Sequence, residues 1–560
     1  MTYPYENLEN FTLPSLLNRS IKLYNDRESF AHVGQEVMSY ADMMIKVQDT
    51  IKILQENGIH KGDKVLLLSE NMPNWVVAYF SVTYIGAVIV PVLVDFHPSE
   101  IHHIIRHSEA KAVFVSQKHI STIEECSESS LEFIINLDEL KIIDEFTNQN
   151  YMSKLKQKTK EVTKKFSKAE DVQEDDLAAI IYTSGTTGHS KGVMLSHKNL
   201  VANAMSAWEK VTITKNDVFL SILPLAHTLE ATVGMIVPIL HGSSVYYIDK
   251  TPTPSVLIKS FGIVKPTMMI SVPLIIEKIY KNKVLPKFTE SIVMKTLYNI
   301  PVFRKVLNKV AGKKLLETFG GRLRFFGIGG AGIAPFVEQF LIEAKFPYII
   351  GYGLTETAPL IAGSILGNKS KIKSTGTAMA GVKIKIKDPD PDTGEGEIIA
   401  LSPSTMMGYY KEPEKTAEVM DGDWFLTGDL GYMDNDEFLF ISGRSKNVII
   451  GSSGENIYPE QIEATINKNE VVVDSLVMKQ DDKLVAKIHL DYELIDKMFK
   501  ANNTPDSKVA DEIKNYLENM RLEVNTQVSS FSKIQKFIEQ IEPFVKTPTK
   551  KIKRFLYTEL

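Results

Sequence analysis

Hydrophobic positions over roughly the first 440 residues switch between two periods. Met44, Val47, Ile51 and Leu54 fall at helical spacing, and Gly58 follows as a stop signal. The unbroken run Val65-Leu-Leu-Leu68 then predicts a short strand buried on both faces. Residues 101–107 predict the next helix and Ala112-Val-Phe-Val115 the next strand. Alternation of this kind implies mostly parallel sheets covered by helices on both faces. The apolar stretch 75–94 has the length of a bilayer span, but Gly86 and Pro91 interrupt it and Ser81 and Thr83 are polar. A buried helix ending near Gly86, followed by a buried strand over 87–94, accounts for it better. From Lys383 to Ile386 the period becomes two, with a turn at Asp392-Thr-Gly-Glu-Gly396, which opens a smaller β unit. Farther on, 471–478 and 484–490 predict a hairpin turning at Asp481-Asp482.

Two basic segments interrupt the pattern. Residues 154–168 carry seven lysines and little apolar matter, which reads as a solvated linker or helix face. Residues 291–319 mix Ile292, Val293, Val302, Phe303, Val306 and Val310 with Lys295, Arg304, Lys305, Lys309, Lys313 and Lys314. Such a stretch is either a pair of core-facing helices or a surface that lies on an anionic membrane.

Bulk properties narrow the class. At 560 residues the chain exceeds a single core, so two or more domains are expected. A net charge of -5 gives no electrostatic case for nucleic acid. The single cysteine, Cys126, rules out an intrachain disulfide framework. The first residues lack the basic start and apolar core of a signal peptide, and a cytoplasmic location is expected, with peripheral contact at the inner membrane face left open.

The strongest chemical signal is Tyr182-Thr-Ser-Gly-Thr-Thr-Gly-His-Ser-Lys-Gly192, directly after the apolar run 177–181. Glycines let backbone N–H groups approach a polyphosphate, hydroxyls add donors and Lys191 adds charge. The nucleoside-triphosphatase P-loop needs Lys followed by Ser or Thr, and here Gly192 follows Lys191, so that template fails. A plain polar turn between two sheet elements stays open as the alternative.

Five further segments follow in order: Leu223-Pro-Leu-Ala-His-Thr-Leu-Glu230, Gly351-Tyr-Gly-Leu-Thr-Glu-Thr357, Phe425-Leu-Thr-Gly-Asp-Leu-Gly431, Gly443-Arg-Ser-Lys446 with Gly454-Glu-Asn-Ile-Tyr-Pro459, and Lys546-Thr-Pro-Thr-Lys-Lys-Ile-Lys-Arg554. From about Pro14 onward the chain resembles the adenylate-forming superfamily, and within it the bacterial long-chain fatty acyl-CoA synthetases. The resemblance implies an α/β fold. Residues 1–443 would form a large domain of two helix-covered, mostly parallel sheets plus a small β-barrel-like unit. Residues 444–560 would form a smaller, mobile α+β domain.

It implies an AMP-forming ligase that uses ATP, Mg²⁺ and coenzyme A to convert a medium- or long-chain fatty acid into its thioester through an acyl-adenylate. In that family ATP would be held by Thr183, Ser184, Gly185, Thr186, Thr187, Gly188, Lys191, Gly330, Tyr352, Asp429 and Arg444. Glu356 would bind Mg²⁺, and Thr355 would donate to the α-phosphate. Lys551 would bridge carboxylate and phosphate in the transition state; Lys550 stands where many relatives have glycine. His227 would sit beside the substrate carboxylate, a plain core histidine being its alternative. Gly329, Gly330 and Ala331 would form the turn between nucleotide and acyl chain, Lys446 the hinge, and Gly454 the wall of the pantetheine tunnel. Glu230 keeps an amino acid substrate open, while Ser475 lies in a strand pattern and reads as structural. A ligase with an acyl carrier protein as acceptor and a non-catalytic binding protein are the rival classes, the latter disfavoured by Glu356 and Lys551. The oligomeric state is left open, a homodimer among the options.

Overall fold

The short apolar runs form the inner strands of two eight-stranded sheets in a computed structural model that describes residues 8, 10–126, 129–143, 171–183, 190–289, 291–367, 371–451, 455–480, 483–501, 509–547 and 551–558. In the first sheet Val88–Val92, Lys64–Leu68, Ala112–Val115 and Phe133–Asn136 run parallel, and Leu177–Thr183 joins Val88–Val92 in the same sense. In the second sheet Phe30–His32, Ser244–Tyr247, Val218–Ser221, Met268–Ser271, Phe325–Ile328 and Tyr348–Gly353 are parallel, and two antiparallel strands, Leu360–Gly363 and Thr377–Ala378, close the edge.

The helices end close to where the sequence predicts, and the one expected over 101–107 starts earlier, at Pro98, and runs to Ser108. Helix Tyr40–Glu56 starts at a capping box in which Ser39 and Asp42 satisfy each other's backbone N–H, and Gly58 follows with φ +81°. The stretch 75–94 divides into helix Pro73–Tyr84 and strand Val88–Val92, both buried in the core. Among the described residues no helix is long and apolar enough to cross a membrane.

A third, antiparallel sheet holds Lys383–Lys387, Gly396–Leu401, Trp424–Met433, Met420–Asp421 and Leu439–Arg444. After it the chain builds a separate core. The hairpin Val472–Gln480 and Lys483–Leu490, with Lys536–Glu539 alongside, packs Val477, Ala486 and Ile488 against Ile462 and Ile466 of helix Pro459–Ile466 and Leu517 of helix Val509–Asn525. The hairpin's expected turn at 481–482 lies outside the described residues, as does the lysine-rich 154–168. Ser475 is buried in the hairpin and donates to Asn467 at 2.8 Å.

The glycine- and threonine-rich segment joins two antiparallel strands, Leu177–Thr183 and Lys191–Ser196, with Thr183 opposite Lys191.

Candidate functional site

Parallel strands deliver their C-terminal ends to one side of a sheet, where loops are free to carry chemistry. Here Val218–Ser221 leads to His227, Phe325–Ile328 to Gly329, Gly330 and Ala331, and Tyr348–Gly353 to the turn Thr355–Thr357 that carries Glu356. Gly353 admits no other residue, because a Cβ there would lie 1.8 Å from the Pro359 carbonyl oxygen.

Asp429 comes from the third sheet, opposite Arg444 on the neighbouring strand. Arg444 Nε stands 2.7 Å from Asp429 Oδ1, and the Tyr352 hydroxyl donates to Oδ2 at 2.6 Å. Burial pushes the Asp429 carboxyl up, against the pull of Arg444 and Tyr352. Burial, reinforced by Asp429, also keeps the Tyr352 hydroxyl protonated and therefore a donor.

Tyr409 was not singled out from the sequence. Its hydroxyl donates to Glu356 Oε1 at 2.9 Å, and the Lys191 ammonium sits 4.6 Å from the centre of its ring. One aromatic ring thus joins the base of the 182–192 loop to the 351–357 segment. The local signal, Gly408-Tyr-Tyr410, contains no charge and suggests only a strand. The second Glu356 oxygen accepts no hydrogen bond from a described residue. Among the described residues no cluster of three acidic, histidine or cysteine side chains could hold a metal alone. A single carboxylate suits Mg²⁺ when phosphate oxygens and water complete its shell.

Lys551 reaches this cleft from the C-terminal unit. Its loop is closed by Thr547 N–H to the Lys551 carbonyl at 2.7 Å and Lys551 N–H to the Thr547 hydroxyl at 3.1 Å. Two ion pairs fix the loop's ends: Lys546 with Asp474 at 2.6 Å and Arg554 with Glu463 at 2.5 Å. The Lys551 ammonium is walled by protein yet open to water within the cleft. Burial, with the charge of Arg444, pushes its pKa down, and Asp429 and Glu356 oppose that.

His227 lies within electrostatic reach of Lys551; burial first, then that charge, pushes its imidazole down to about 4. It is neutral at pH 7. Nδ1 accepts from Leu229 N–H at 3.2 Å, which assigns the ring proton to Nε2.

Beside His227 runs a floor without side chains. Residues alternate faces along a strand, so positions 325, 327 and 329 share one face with 349, 351 and 353 of the next strand. Four of these six are glycine: Gly327, Gly329, Gly351 and Gly353. Neighbouring side chains cover them: a Cβ would meet Leu229 at 3.0 Å above Gly329, Leu360 at 3.1 Å above Gly351 and the ring of Phe325, two residues back on the same face, at 3.0 Å above Gly327. Near Phe325 and Ile349 the floor borders an apolar cavity also lined by Phe219, Val233, Met268 and Lys210. Gly327 and Gly351 were not picked out from the sequence, although glycines two apart in a strand pattern were a legible signal.

Of the remaining expected residues, Gly330 has φ +85° and, with Ala331, is open to solvent. Thr355 lies in the Glu356 turn. Lys446 is exposed on the short turn Ser445–Asn447. Ser184, Gly185, Thr186, Thr187, Gly188 and Gly454 lie outside the described residues.

Glu230 behaves unlike an ammonium partner. Its carboxyl is buried and folded over Gly234, with Oε2 unpartnered among the described residues. Burial pushes it up to about 8 from its ordinary 4.5, so it is neutral at pH 7. The folded chain then holds a proton that the unfolded chain releases above about pH 4.5. Stability contributed by the neutral acid is full below that pH and is lost as pH rises toward 8. Glu230→Gln cannot titrate. Its unfolding free energy, read from urea titrations, is expected to gain on wild type by on the order of a few kcal/mol between pH 5 and pH 8. A difference that does not change with pH would refute the buried acid.

Comparison with known proteins agrees with this geometry. The profile of the AMP-binding enzyme family matches residues 17–410. The long-chain-fatty-acid–CoA ligase of Bacillus subtilis is 26% identical over 503 residues, spanning 84% of this chain and 83% of the relative. The peroxisomal long chain acyl-CoA synthetase 7 of Arabidopsis thaliana is 28% identical over 497 residues, 82% of this chain and 69% of its own length. Among solved structures, ATP-bound MatB from Rhodopseudomonas palustris superposes with a TM-score of 0.73 at 23% identity, covering 97% of this chain and 98% of that one.

Proposed function

The chain belongs to the AMP-binding enzyme family, and from that premise we propose that it is an AMP-forming ligase joining a medium- or long-chain fatty acid to the thiol of coenzyme A. The observation that carries the reading is the meeting of Lys551 with Asp429, Arg444, Glu356 and His227 at the end of a glycine floor. The relatives' names support a fatty acid as substrate. The neutral, folded-back Glu230 disfavours an amino acid, since it offers no charge to an ammonium.

Each residue then has a task. Asp429 accepts from the ribose hydroxyls with lone pairs left over from Arg444 and Tyr352, and the Tyr352 ring lies against adenine. The 183–188 loop and Lys191 hold the phosphates, and Thr355 donates to the α-phosphate. Glu356 would hold Mg²⁺, which supplies neutralising charge on the phosphates. His227 presents its Nε2–H to one carboxylate oxygen, and the backbone at Gly329, Gly330 and Ala331 lets nucleotide and acid approach. The other carboxylate oxygen attacks the α-phosphorus, and the bond to the bridging oxygen breaks. Pyrophosphate leaves with the electron pair and no proton moves. Two anions meet in this step, and Lys551 between them stabilises the charge that develops.

Thiol attack on the adenylate needs the Lys551 loop elsewhere. The 444–560 domain would rotate about Lys446, and Gly454 would then line the thiol tunnel. The domain division and each of these roles are part of the proposal. Coenzyme A is the favoured acceptor; a carrier-protein thiol is the variant that a direct comparison of acceptors decides.

Incubation with mixed fatty acids, ATP and coenzyme A should release AMP and pyrophosphate; ADP and orthophosphate would exclude adenylation. Each buried methylene adds about 0.8 kcal/mol, roughly fourfold in kcat/KM. Efficiency should therefore climb steeply from butyrate toward dodecanoate. Gly327→Val narrows the floor, so it should cut dodecanoate efficiency at least tenfold while leaving butyrate nearly unchanged. Equal loss on both acids would mean that the acyl chain does not lie over Gly327.

A further inference from the structure

The helix Pro301–Thr318 exposes an apolar stripe over its first three turns. Its protein-facing side packs Leu307 and Ala311 against the core but also carries polar groups: Arg304 makes a forked ion pair with Glu343 at 2.8 and 3.1 Å. Asn308 donates to the same carboxylate at 2.7 Å and accepts from the Tyr298 hydroxyl at 3.0 Å. Gly312 then brings the helix close to Ala344, whose carbonyl oxygen lies 2.6 Å from where a Cβ would be. Its outward side is apolar. Val302, Val306 and Val310, four residues apart, are 71%, 59% and 54% exposed, and Phe303 flanks them. The preceding helix Ile292–Tyr298 adds Ile292 at 86% and Val293 at 66%.

Lys305, Lys309 and Lys313 form a parallel row beside the valines. Residues 291–316 contain six basic side chains and no acidic one, in a chain whose net charge is -5. Only Arg304 of the six has an ion-pair partner among the described residues. A core-facing helix usually exposes a polar face; this one buries Leu307, Ala311 and Leu315 yet turns a second apolar stripe to solvent, framed by unpaired charge.

We propose that the outward face of residues 292–310 docks on an anionic lipid leaflet. Such a leaflet supplies both things the face lacks: an apolar layer for the valines, Phe303, Ile292 and Val293, and phosphate charge for the lysine row. A second copy of this chain fits poorly, since a twofold contact brings lysine rows together with no acid in the segment to oppose them. The acidic remainder of the protein is repelled by the same surface, which orients the molecule with this face down. Docking does not depend on the ligase reading, because it is measured without acyl substrate, ATP or thiol.

The test is flotation of the full-length protein with vesicles of phosphatidylcholine alone or mixed with phosphatidylglycerol, at low and high salt. Wild type should bind the mixed vesicles at least tenfold more tightly, and salt should weaken that binding. Lys305→Glu, Lys309→Glu and Lys313→Glu together should weaken it roughly a hundredfold, as expected for three charges near an anionic surface. Val302→Ser, Val306→Ser and Val310→Ser together should cost at least tenfold. These side chains point to solvent, so acid-dependent pyrophosphate exchange with octanoate should stay at the wild-type rate and certify the fold. Equal binding to both vesicle types, or no effect of either triple variant, would overturn the proposal. So would a wild-type dimer in analytical ultracentrifugation that the valine variant converts to monomer, which would assign the face to self-association.

Discussion

Lys551→Ala should lower acid-dependent pyrophosphate exchange by about three orders of magnitude, yet still convert supplied acyl-adenylate and coenzyme A to thioester within a few-fold of wild type. The size follows from removing a charge that, on the proposed mechanism, is aimed at the developing transition state. The asymmetry follows from how the lysine is held. Its loop is fastened to the C-terminal unit by Lys546–Asp474 and Arg554–Glu463, while its electrostatic partners Asp429 and Glu356 belong to the segment before it. If that unit turns between the two half-reactions, the lysine leaves with it and is not missed in the second. Exchange and thioester formation assayed separately read the two steps. Equal damage to both would end the rotation proposal, and with it the hinge role of Lys446.

Asp429→Ala is expected to raise the KM for ATP by about a hundredfold. The substitution removes the proposed acceptor for the ribose hydroxyls and leaves the Arg444 guanidinium and the buried Tyr352 hydroxyl without their partner. Hydrogen bonds to a charged group contribute about 1.5–3 kcal/mol each, and two such losses account for the magnitude. Asp429→Asn keeps the shape and should fall between. An ATP titration of the exchange reaction distinguishes this from a loss confined to kcat at unchanged KM, which would remove Asp429 from the nucleotide site.

Elements set by short-range pattern were legible in the sequence. Helix Tyr40–Glu56, the split of residues 75–94 and the hairpin 472–490 each rest on periodicity and stop signals within about twenty residues. What escaped depends on partners distant in the chain. Arg554 looked like one more solvated cation, but Glu463, 91 residues away, makes it an anchor. Tyr409 gains a role only through Glu356, 53 residues away. The 291–319 segment was recognisably amphipathic, but which face turns inward was decided by Glu343, 39 residues from Arg304. That the 182–192 segment lies between two strands was within reach of the sequence, a turn between two sheet elements being one of its two readings; buried Val193 and Leu195 around half-buried Met194 give the second strand its alternation.

The glycine floor separates two histories that proteins usually have to share. Its backbone hydrogen bonds hold the sheet together, while the surface a ligand would feel is furnished by Leu229, Leu360 and Phe325, each able to change without breaking a ladder bond. If the acyl chain lies here as proposed, substrate preference can drift, or be redirected by an engineer, through three covering side chains while the scaffold stands still.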